Sequence, residues 1–384
     1  MPGYEVIDNK EFKQISQIFK KSKTLFRMGF DKQRKGIYKV KEFEKNFAKK
    51  FKSNYALAVT SGTAALRISL SALNLKAGDE VITQSFTFVA TVEAIVEARA
   101  KPVCTEIDET LNMDPQDLLK KINKKTKAVI VVHMLGVPAR LDKIKEICRK
   151  KRLVLIEDTA WGCGGKFKNK FLGTWGDIGA FSFDFAKTIT TGEGGMLLFK
   201  SKKHFELAKA WHDHGHENNP KLPRWEDSRK KSGFNFRMTE MQGAVGIAQL
   251  KKLELILKMQ RKNHDKIWNY IKEIPGITKR YYPLKSEISA DALIFFLKTK
   301  KMAIECRKEL LKNKISTKIL PEAYTWHFAS EWSHIKELNK NRSKLKKSFK
   351  KSKKLIERSV SIPIFVKMKK DFPKLIFKSI NKTL

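Results

Sequence analysis

The sequence predicts an α/β protein in which a large domain, built on a mostly parallel sheet, precedes a smaller α+β domain. Seven short apolar runs, at 55–59, 80–83, 102–106, 128–133, 153–157, 178–183 and 195–199, alternate with helical patterns near 63–74, 89–99, 114–123, 139–151 and 201–212. Such alternation is typical of a parallel sheet covered on both faces. Beyond residue 200 the alternation stops, and apolar runs such as DALIFFLKT and SVSIPIF indicate a second unit. We therefore divide the chain into domains at 1–262 and 263–384.

Further helices are expected on either side of the alternating region. Residues 10–22 and 40–51 place apolar side chains at helical spacing. Thr239 is a suitable N-cap for a long helix that we expect to end near Lys262.

The chain carries a large positive charge. Its 384 residues include 80 Lys and Arg against 40 Asp and Glu, for a formal net charge of +40. A surface of this kind attracts nucleic acid, anionic membranes or acidic substrates. The lysines are spread along the chain, densest from Lys340 to Lys354, and not gathered in a nucleic-acid-reading motif. This distribution favours solvated lysines, although binding to polyanions at low salt is still expected.

Cysteine usage and hydropathy indicate a soluble protein of a reducing compartment. Cys104, Cys148, Cys163 and Cys306 show no CxxC pair and no disulfide-like spacing, which is typical of a cytoplasmic protein. The start, MPGYEVIDNK, has no apolar core, so we expect no signal peptide. No run approaches the roughly 18 apolar residues of a membrane span.

One lysine follows a predicted buried strand. The stretch FSFDFAKTITTGEGGMLL has an apolar run that ends at Ser182, then Lys187, then a glycine-rich turn. A lysine that must attack a carbonyl needs a setting that buries its stem and lowers the pKa of its amine. We therefore expect a largely unprotonated amine at Lys187, although any one lysine of so basic a chain is far more often a surface residue.

Three other strand ends carry polar or aromatic side chains. The run YALAVT leads into Ser61-Gly62-Thr63-Ala64, which suits an anion site at a helix start and equally a plain N-cap. In VITQSFTF, the alternation predicts Phe86 and Phe88 on the same face, with Phe88 ending the strand. In LVLIED, an acid at Asp158 ends a buried strand, which is costly without a cationic partner.

The polar segment after residue 210 offers two interpretations. His212, His214 and His216 stand at alternate positions, as some metal ligands do. Because no fixed fourth ligand follows, a loop near the active site is the favoured interpretation and no metal is expected. Farther on, ISTKILPEAYTWHFASEW contains His327, which the residues alone favour as a packed, hydrogen-bonded histidine.

These segments together resemble the DegT/DnrJ/EryC1/StrS family of pyridoxal-phosphate (PLP) dependent sugar aminotransferases. The similarity rests on SGTAAL, the QSFTF and IEDTA strand ends, FSFDFAKTITTGEGG and GFNFRMTE, and it extends over about residues 1–370. It implies the aspartate-aminotransferase fold, that is, fold type I of the PLP enzymes. It also implies a homodimer, because the Asn of the GFNFRMTE segment reaches the cofactor of the neighbouring subunit in relatives.

The resemblance assigns roles residue by residue. Lys187 would attach the cofactor covalently and then carry the proton, and Asp158 would hold the pyridine nitrogen protonated. Phe88 would stack on the ring. The cofactor phosphate would be held by Gly62, Thr63, Ala64, Ser182 and the partner's Asn235. Relatives usually carry Gln or His where this chain has Trp161, so an indole N–H would have to make that cofactor contact.

The substrates implied are L-glutamate and a keto-sugar, either a sugar acid or a nucleotide-linked sugar, used for cell-surface polysaccharide. MPGYE and LPEAYTWHFA are similar to the branch that makes 8-amino-3,8-dideoxy-manno-octulosonate (Kdo8N), an aminated lipopolysaccharide sugar acid. Contacts with the acceptor are expected within 25–35, 212–232 and 318–332, with candidates Arg27, Lys318, Trp326 and His327. A dehydrating relative has His in place of the lysine, which Lys187 argues against. The alternative is an inactive or regulatory member that binds polyanions.

Overall fold

The computed structural model describes residues 2–219, 221–322, 324–338 and 342–384. Its helices are α1 (Pro2–Glu5), α2 (Asn9–Gln17), α3 (Asp31–Arg34), α4 (Lys39–Phe51), α5 (Gly62–Ser71), α6 (Ala90–Glu97), α7 (Pro115–Lys121), α8 (Leu141–Lys151), α9 (Lys202–Trp211), α10 (Glu240–Ile271), α11 (Lys300–Lys312), α12 (Tyr324–His327), α13 (Arg342–Lys346), α14 (Lys350–Ile356) and α15 (Phe372–Asn381). Its strands are β1 (Tyr55–Val59), β2 (Glu80–Gln84), β3 (Lys101–Thr105), β4 (Thr126–Val132), β5 (Val154–Asp158), β6 (Lys166–Phe167), β7 (Lys170–Phe171), β8 (Ile178–Ser182), β9 (Gly195–Phe199), β10 (Thr278–Lys279), β11 (Ser286–Glu287), β12 (Ala292–Phe296) and β13 (Ser359–Pro363).

A seven-stranded sheet in the order β1-β9-β8-β5-β4-β2-β3 forms the centre of the large unit. The neighbours from β3 through β2, β4 and β5 to β8 run parallel. Strand β9 runs antiparallel to both β8 and β1. The mostly parallel α/β sheet predicted from the sequence is thus confirmed.

Helices cover both faces of this sheet, which explains why its strands are continuous apolar runs. Every residue of β8 and of β9 is buried. On one face, α5, α6 and α9 enclose a core that includes Leu66, Ile68 and Leu197. On the other face, α4 presents Phe43, Phe47 and Phe51 to the sheet and α10.

The long helix α10 begins where the sequence predicted and ends later. Thr239 caps it, accepting a hydrogen bond from the Gln242 amide at 3.4 Å in a capping box. The helix continues to Ile271, not Lys262, because Ile267 and Ile271 pack into the core of the C-terminal unit. The boundary expected at 262/263 falls inside this helix, and the division into two domains stays a prediction.

The C-terminal unit packs on the carboxyl ends of the large sheet's strands. Its sheet β10-β12-β13 is antiparallel and shares a core with α11 and α15. The buried guanidinium of Arg280 donates to the carbonyls of Thr110 (2.7 Å) and Met134 (2.8 Å), and burial lowers the pKa of Arg280 to about 9. The amide of Thr87 donates to the His327 carbonyl at 3.0 Å. This last bond holds α12 against the segment that follows β2.

Two further expectations concern the cysteines and membrane insertion. All four cysteines are buried with free thiols, and burial raises the pKa of each to about 12. Within the described ranges, no helix is long and apolar enough to cross a membrane.

Replacing Phe47 by Ala tests the aromatic core under the sheet. Phe47 is fully buried and its ring contacts those of Phe43, Phe51, Phe181 and Phe183. We expect Phe47→Ala to lower the free energy of unfolding by about 3–5 kcal/mol, because it leaves a cavity. Denaturant unfolding followed by circular dichroism measures the loss.

The matched control is Phe12→Ala, since the Phe12 side chain is 67% exposed on α2. We expect this change to stay within about 0.5 kcal/mol of the wild type. Equal losses in the two variants would contradict the described core.

Candidate active site

A cavity of about 340 Å³ lies at the carboxyl ends of β5 and β8, where ligands bind in parallel sheets. The start of α5, the segment after β2, the loop after β8 and α12 enclose it. Its lining residues are Ser61, Gly62, Thr63, Leu66, Thr87, Phe88, Ala90, Thr91, Val132, Asp158, Ala160, Trp161, Ala180, Phe181, Ser182, Asp184, Lys187, Glu193 and His327.

The start of α5 forms one wall. Ser61 is the N-cap, and its Oγ accepts the Ala64 amide at 3.0 Å. The amides of Gly62 and Thr63 open the helix and have no intrahelical acceptor, so they suit an anion. A Cβ on Gly62 would lie 2.7 Å from the Ser182 Cβ, so glycine is required for β8 to approach this closely. The turn therefore contains an N-cap and also offers free amides that could bind an anion.

Ala64 lies outside the cavity lining in this structure, and its contact with a phosphate stays a prediction. Its amide is already bound to the Ser61 hydroxyl, and its side chain is buried in the core behind the helix. It does not line this cavity.

Lys187 lies in the loop after β8, five residues past the strand end, with its amine at the cavity wall. Burial, and then the charge of Lys318, lower the pKa of the Lys187 amine to about 8, while Asp291, Asp184 and Asp158 act in the opposite direction. The expected lowering of the pKa is present, and a largely unprotonated amine at Lys187 stays a prediction.

Asp158 ends β5 and is 5% exposed. Its Oδ2 accepts from the Thr91 hydroxyl at 3.0 Å, and its Oδ1 accepts from the Ala160 amide at 3.1 Å. Burial raises the pKa of Asp158, and these two donors, followed by the charge of Lys187, lower it only in part. A cation next to this carboxyl would therefore be strongly stabilised.

The preceding residue, Glu157, points to the other side of the sheet and is fully buried. It accepts from His133 Nε2 (3.0 Å) and from the amides of Gly173 (2.9 Å) and Gly176 (2.6 Å). Burial opposes its ionisation, but His133 and the two amides outweigh that effect and lower its pKa. Because the Ala139 amide donates to His133 Nδ1, the proton of this imidazole is on Nε2. Glu157 thus ties the end of β5 to the turn that precedes β8.

The two phenylalanines after β2 differ from their predicted arrangement. The strand ends at Gln84, so Phe86 and Phe88 are not on one face of a strand. Phe86 is fully buried, and its backbone bridges to Phe328. Phe88 lines the cavity, and its ring centre lies 5.8 Å from that of Trp326 and 5.4 Å from that of His327. Of the two phenylalanines, Phe88 is the one that is placed to contact a ligand ring.

Trp161 lines the cavity with the face of its indole toward a lysine. The Lys187 ammonium lies 3.4 Å from the ring centre, and the Lys318 ammonium lies 4.7 Å from it. An aromatic face stabilises a protonated amine, which works against deprotonation of Lys187.

The other candidates for the acceptor site divide into two groups. His327 lines the cavity, whereas Trp326 covers Phe88 and is 59% exposed. The structure does not bring Arg27 to the cavity, because it is buried in an ion pair with Glu44 at 2.5 Å and a bond to the Ala58 carbonyl. Asn235 is exposed and accepts from the Arg237 amide at 3.3 Å, also outside this cavity.

His212 and His216 have separate hydrogen-bond partners. His212 is buried, and its Nδ1 contacts the Lys209 carbonyl, while His216 Nδ1 lies 3.2 Å from Asp227. Asp213, between them, is bound by Arg224 and Arg237, which outweigh the effect of burial and lower the pKa of Asp213 to about 2.

Several residues of the site were not found from the sequence. Thr91 and Thr87 share a hydrogen bond of 2.8 Å, which continues to Asp158. Gly3 of α1 donates its amide to the Lys187 carbonyl at 3.1 Å. Thr87 precedes α6 and Thr91 lies within it, so no helical spacing marks the pair, and nothing local marks Gly3.

The cavity can be tested against the cofactor that the resemblance implies. A helix start with free amides beside Ser182 suits a phosphate, and Gly62 leaves the required space. A buried carboxyl with two donors suits a protonated ring nitrogen, and Phe88 and Trp161 supply flat apolar walls. An amine of lowered pKa suits an aldehyde. The residues present therefore fit pyridoxal phosphate.

Comparison with known sequences gives a family match. The sequence model of the DegT/DnrJ/EryC1/StrS aminotransferase family matches residues 27–381. The chain is 39% identical over 232 residues to GDP-perosamine synthase of Escherichia coli O157:H7, covering 60% of this chain and 62% of the synthase. It is 35% identical over 357 residues to the uncharacterized protein MJ1066 of Methanocaldococcus jannaschii, and this match covers 87% of this chain and 86% of MJ1066. The match to the synthase thus spans less than two thirds of that relative's length.

Comparison with solved structures supports the fold. GDP-4-keto-6-deoxy-D-mannose-3-dehydratase of E. coli, solved with bound hydrated PLP, superposes with a TM-score of 0.83. It is 25% identical, and the match covers 98% of this chain and 97% of that one. The architecture is therefore shared over nearly the whole chain.

The pKa of Lys187 predicts a specific pH dependence of its reactivity. The neutral amine is the nucleophile, so acetylation of Lys187 by acetic anhydride in the cofactor-free chain should rise with pH and reach its midpoint near pH 8. Free lysine in the same reaction, with a pKa of about 10.4, is the internal standard. Peptide mass spectrometry measures both. A Lys187 midpoint that coincides with that of free lysine would contradict the described environment.

Proposed function

The chain belongs to the DegT/DnrJ/EryC1/StrS aminotransferase family, and we propose that it transfers an amino group from L-glutamate to a keto-sugar, using pyridoxal phosphate. The observation that carries this proposal is the convergence, in one cavity, of the Lys187 amine, the Asp158 carboxyl and the open amides of α5. Two of the proteins named above, GDP-perosamine synthase and GDP-4-keto-6-deoxy-D-mannose-3-dehydratase, have names that contain a GDP-linked sugar, which supports a keto-sugar as the acceptor here.

The residues that would hold the cofactor follow from the walls of the cavity. The Gly62 and Thr63 amides and the Ser182 hydroxyl would bind the phosphate, with the dipole of α5 adding to the attraction. Phe88 would exclude water from one face of the ring, and the indole N–H of Trp161 would contact the cofactor where relatives carry Gln or His. Asp158, fixed by Thr91 and Ala160, would hold a proton on the ring nitrogen.

Pyridoxal phosphate, when bound, supplies an aldehyde that condenses with amines and a ring that withdraws electrons from the adjacent carbon. Among the residues that the structure describes, Lys187 is the one lysine that lines the cavity, so it would attach the cofactor and later carry the proton at its Nζ. The hydrogen bond from Gly3 to its carbonyl holds the backbone of the loop while the side chain moves.

The acceptor that we favour is a sugar acid such as the 8-keto form of 3-deoxy-manno-octulosonate. The product would then be Kdo8N, which would be used in lipopolysaccharide biosynthesis. A nucleotide-linked keto-sugar is the alternative substrate. Both are anions, and the net charge of +40 would attract either. The segment LPEAYTWHFA that suggested the sugar acid contributes His327 to the cavity wall. The four free thiols support a cytoplasmic location.

We also propose a homodimer with shared sites. Asn235 is exposed and lies away from the cavity of its own chain, as expected for a residue that reaches a neighbour. Near it, Phe234 is 58% exposed, which leaves apolar surface for a partner subunit.

Removing the Lys187 amine tests the proposed reaction. We expect the wild type, once given pyridoxal phosphate, to be yellow and to lose this colour with L-glutamate. Borohydride should trap the cofactor on Lys187. Lys187→Ala should lower the rate of this half-reaction by at least about 10⁴-fold, since nucleophile and proton carrier are lost together. Absorbance in a stopped-flow instrument measures the rate.

The matched control removes a lysine outside the cavity, Lys312, which is exposed on α11. Lys312→Ala should keep the wild-type rate. A Lys187→Ala enzyme that reacts with glutamate as fast as the wild type would refute the proposed function.

A mixed dimer tests whether Asn235 acts across subunits. Lys187→Ala and Asn235→Ala chains are each expected to be inactive as pure dimers. If Asn235 serves the neighbour's site, the mixed dimer has one site with both residues intact and should recover about half of the wild-type activity per dimer. Tandem affinity tags isolate the mixed species. An inactive mixed dimer would show that Asn235 acts within its own chain.

A further inference from the structure

An ion pair of the C-terminal unit lies beside the proposed active site. The Lys318 ammonium lies 2.7 Å from Asp291 Oδ1, and the side chain of Lys318 is 17% exposed. Asp291 is 2% exposed, and its Oδ2 has no hydrogen-bond partner within the described part of the chain. The pair is therefore largely removed from solvent, and Asp291 has accepting capacity to spare.

This pair shares an aromatic surface with the reactive lysine. The ammonium groups of Lys187 and Lys318 lie 3.4 Å and 4.7 Å from the same indole centre, that of Trp161. Two positive charges so placed repel each other, and an anion close to both would relieve the repulsion. The charge of Lys318 is, after burial, the largest cause that lowers the pKa of Lys187.

The backbone around Lys318 holds it in place. Its amide donates to the Ser361 carbonyl on β13 at 2.8 Å, and its carbonyl accepts from the Leu320 amide at 2.8 Å. Ile319, which lies between Lys318 and Leu320 in the chain, has φ 72°. This is a left-handed conformation that β-branched residues rarely adopt. Such conformations persist where the surrounding structure enforces them, often near ligand sites.

We propose that Lys318, oriented by Asp291, is a specificity residue that binds a carboxylate of the substrate next to Lys187. This inference rests on the proposed function and adds the chemical class that the site selects. The Asp291 carboxylate balances one of the two ammonium charges beside Trp161, which leaves one positive charge. A singly charged carboxylate balances this charge, whereas a diphosphate would bring a net negative charge into a site of low exposure.

The carboxylate has two possible sources, the amino donor and a sugar-acid acceptor. Both substrates occupy the site in turn during transamination, so both can use the same ammonium group. The test separates them with three probes of PLP-loaded enzyme: glutarate for the donor, 3-deoxy-manno-octulosonate for the sugar acid, and GDP-mannose for the nucleotide sugar.

Isothermal titration of wild type and Lys318→Met with each probe gives the affinities. We expect the substitution to weaken binding of glutarate, of the sugar acid or of both by about 10–100-fold, the effect of one charged hydrogen bond. Lys318→Arg should restore binding to within about 10-fold. Lys312→Met is the control and should bind all three probes as the wild type does. If the affinity for glutarate alone falls, the amino donor is the source of the carboxylate that Lys318 binds. If the affinity for the sugar acid alone falls, the acceptor is the source.

A second readout separates binding from a structural role. In Lys318→Met, the pH midpoint of the visible absorbance of the loaded enzyme should shift upward, because a positive charge near Lys187 is lost. KM for L-glutamate should rise where glutarate binding weakens, with a much smaller change in kcat. Should the Met variant fail to fold by circular dichroism, Lys318→Gln replaces it.

The proposal is overturned if carboxylate binding changes less than twofold, if only GDP-mannose binding weakens, or if the wild type binds neither carboxylate. These outcomes are distinct from failure of the proposed function. That failure would appear first in the wild type, as absence of the glutamate half-reaction that Lys187 supports.

Discussion

Two consecutive carboxylates at the end of β5 determine how the rest of the site is arranged. Because neighbouring residues of a strand face opposite sides of a sheet, Glu157 and Asp158 enter different environments. Glu157 is held by His133, Gly173 and Gly176, and so ties the end of β5 to the turn that precedes β8. Asp158 faces the cavity with two donors and room for a cation. A register shift of one residue would exchange the two and remove the cation site.

The C-terminal unit completes the site that the large sheet begins. Strand ends and the start of α5 supply one side of the cavity, His327 of α12 lines the other, and Lys318 lies beside Trp161. Helix α10 belongs to both cores, so the two units are connected by a continuous rigid element. The charge beside Lys187 therefore depends on a residue more than a hundred positions away in the chain.

The sequence predicted much of the cavity because the strand ends of a parallel sheet meet at one edge. Lys187, Asp158, Phe88, Ser182, Gly62 and Thr63 do line a single cavity. Ala64 and Arg27 do not, because each has a partner, the Ser61 hydroxyl and the Glu44 carboxylate, that residue type alone does not reveal. The arrangement of Phe86 and Phe88 was wrong because β2 ends at Gln84, before either residue.

By itself, the sequence determined the order of strands and helices, the capped start of α10 and the reactive residues at the strand ends. These follow from local patterns: hydrophobic periodicity, turn residues and caps. Only the tertiary structure decided which partners meet across long separations: Thr91 with Asp158, Gly3 with the Lys187 carbonyl, and Lys318 with Asp291 and Trp161. Such contacts depend on how the two units pack, and packing leaves no periodic signal in the chain.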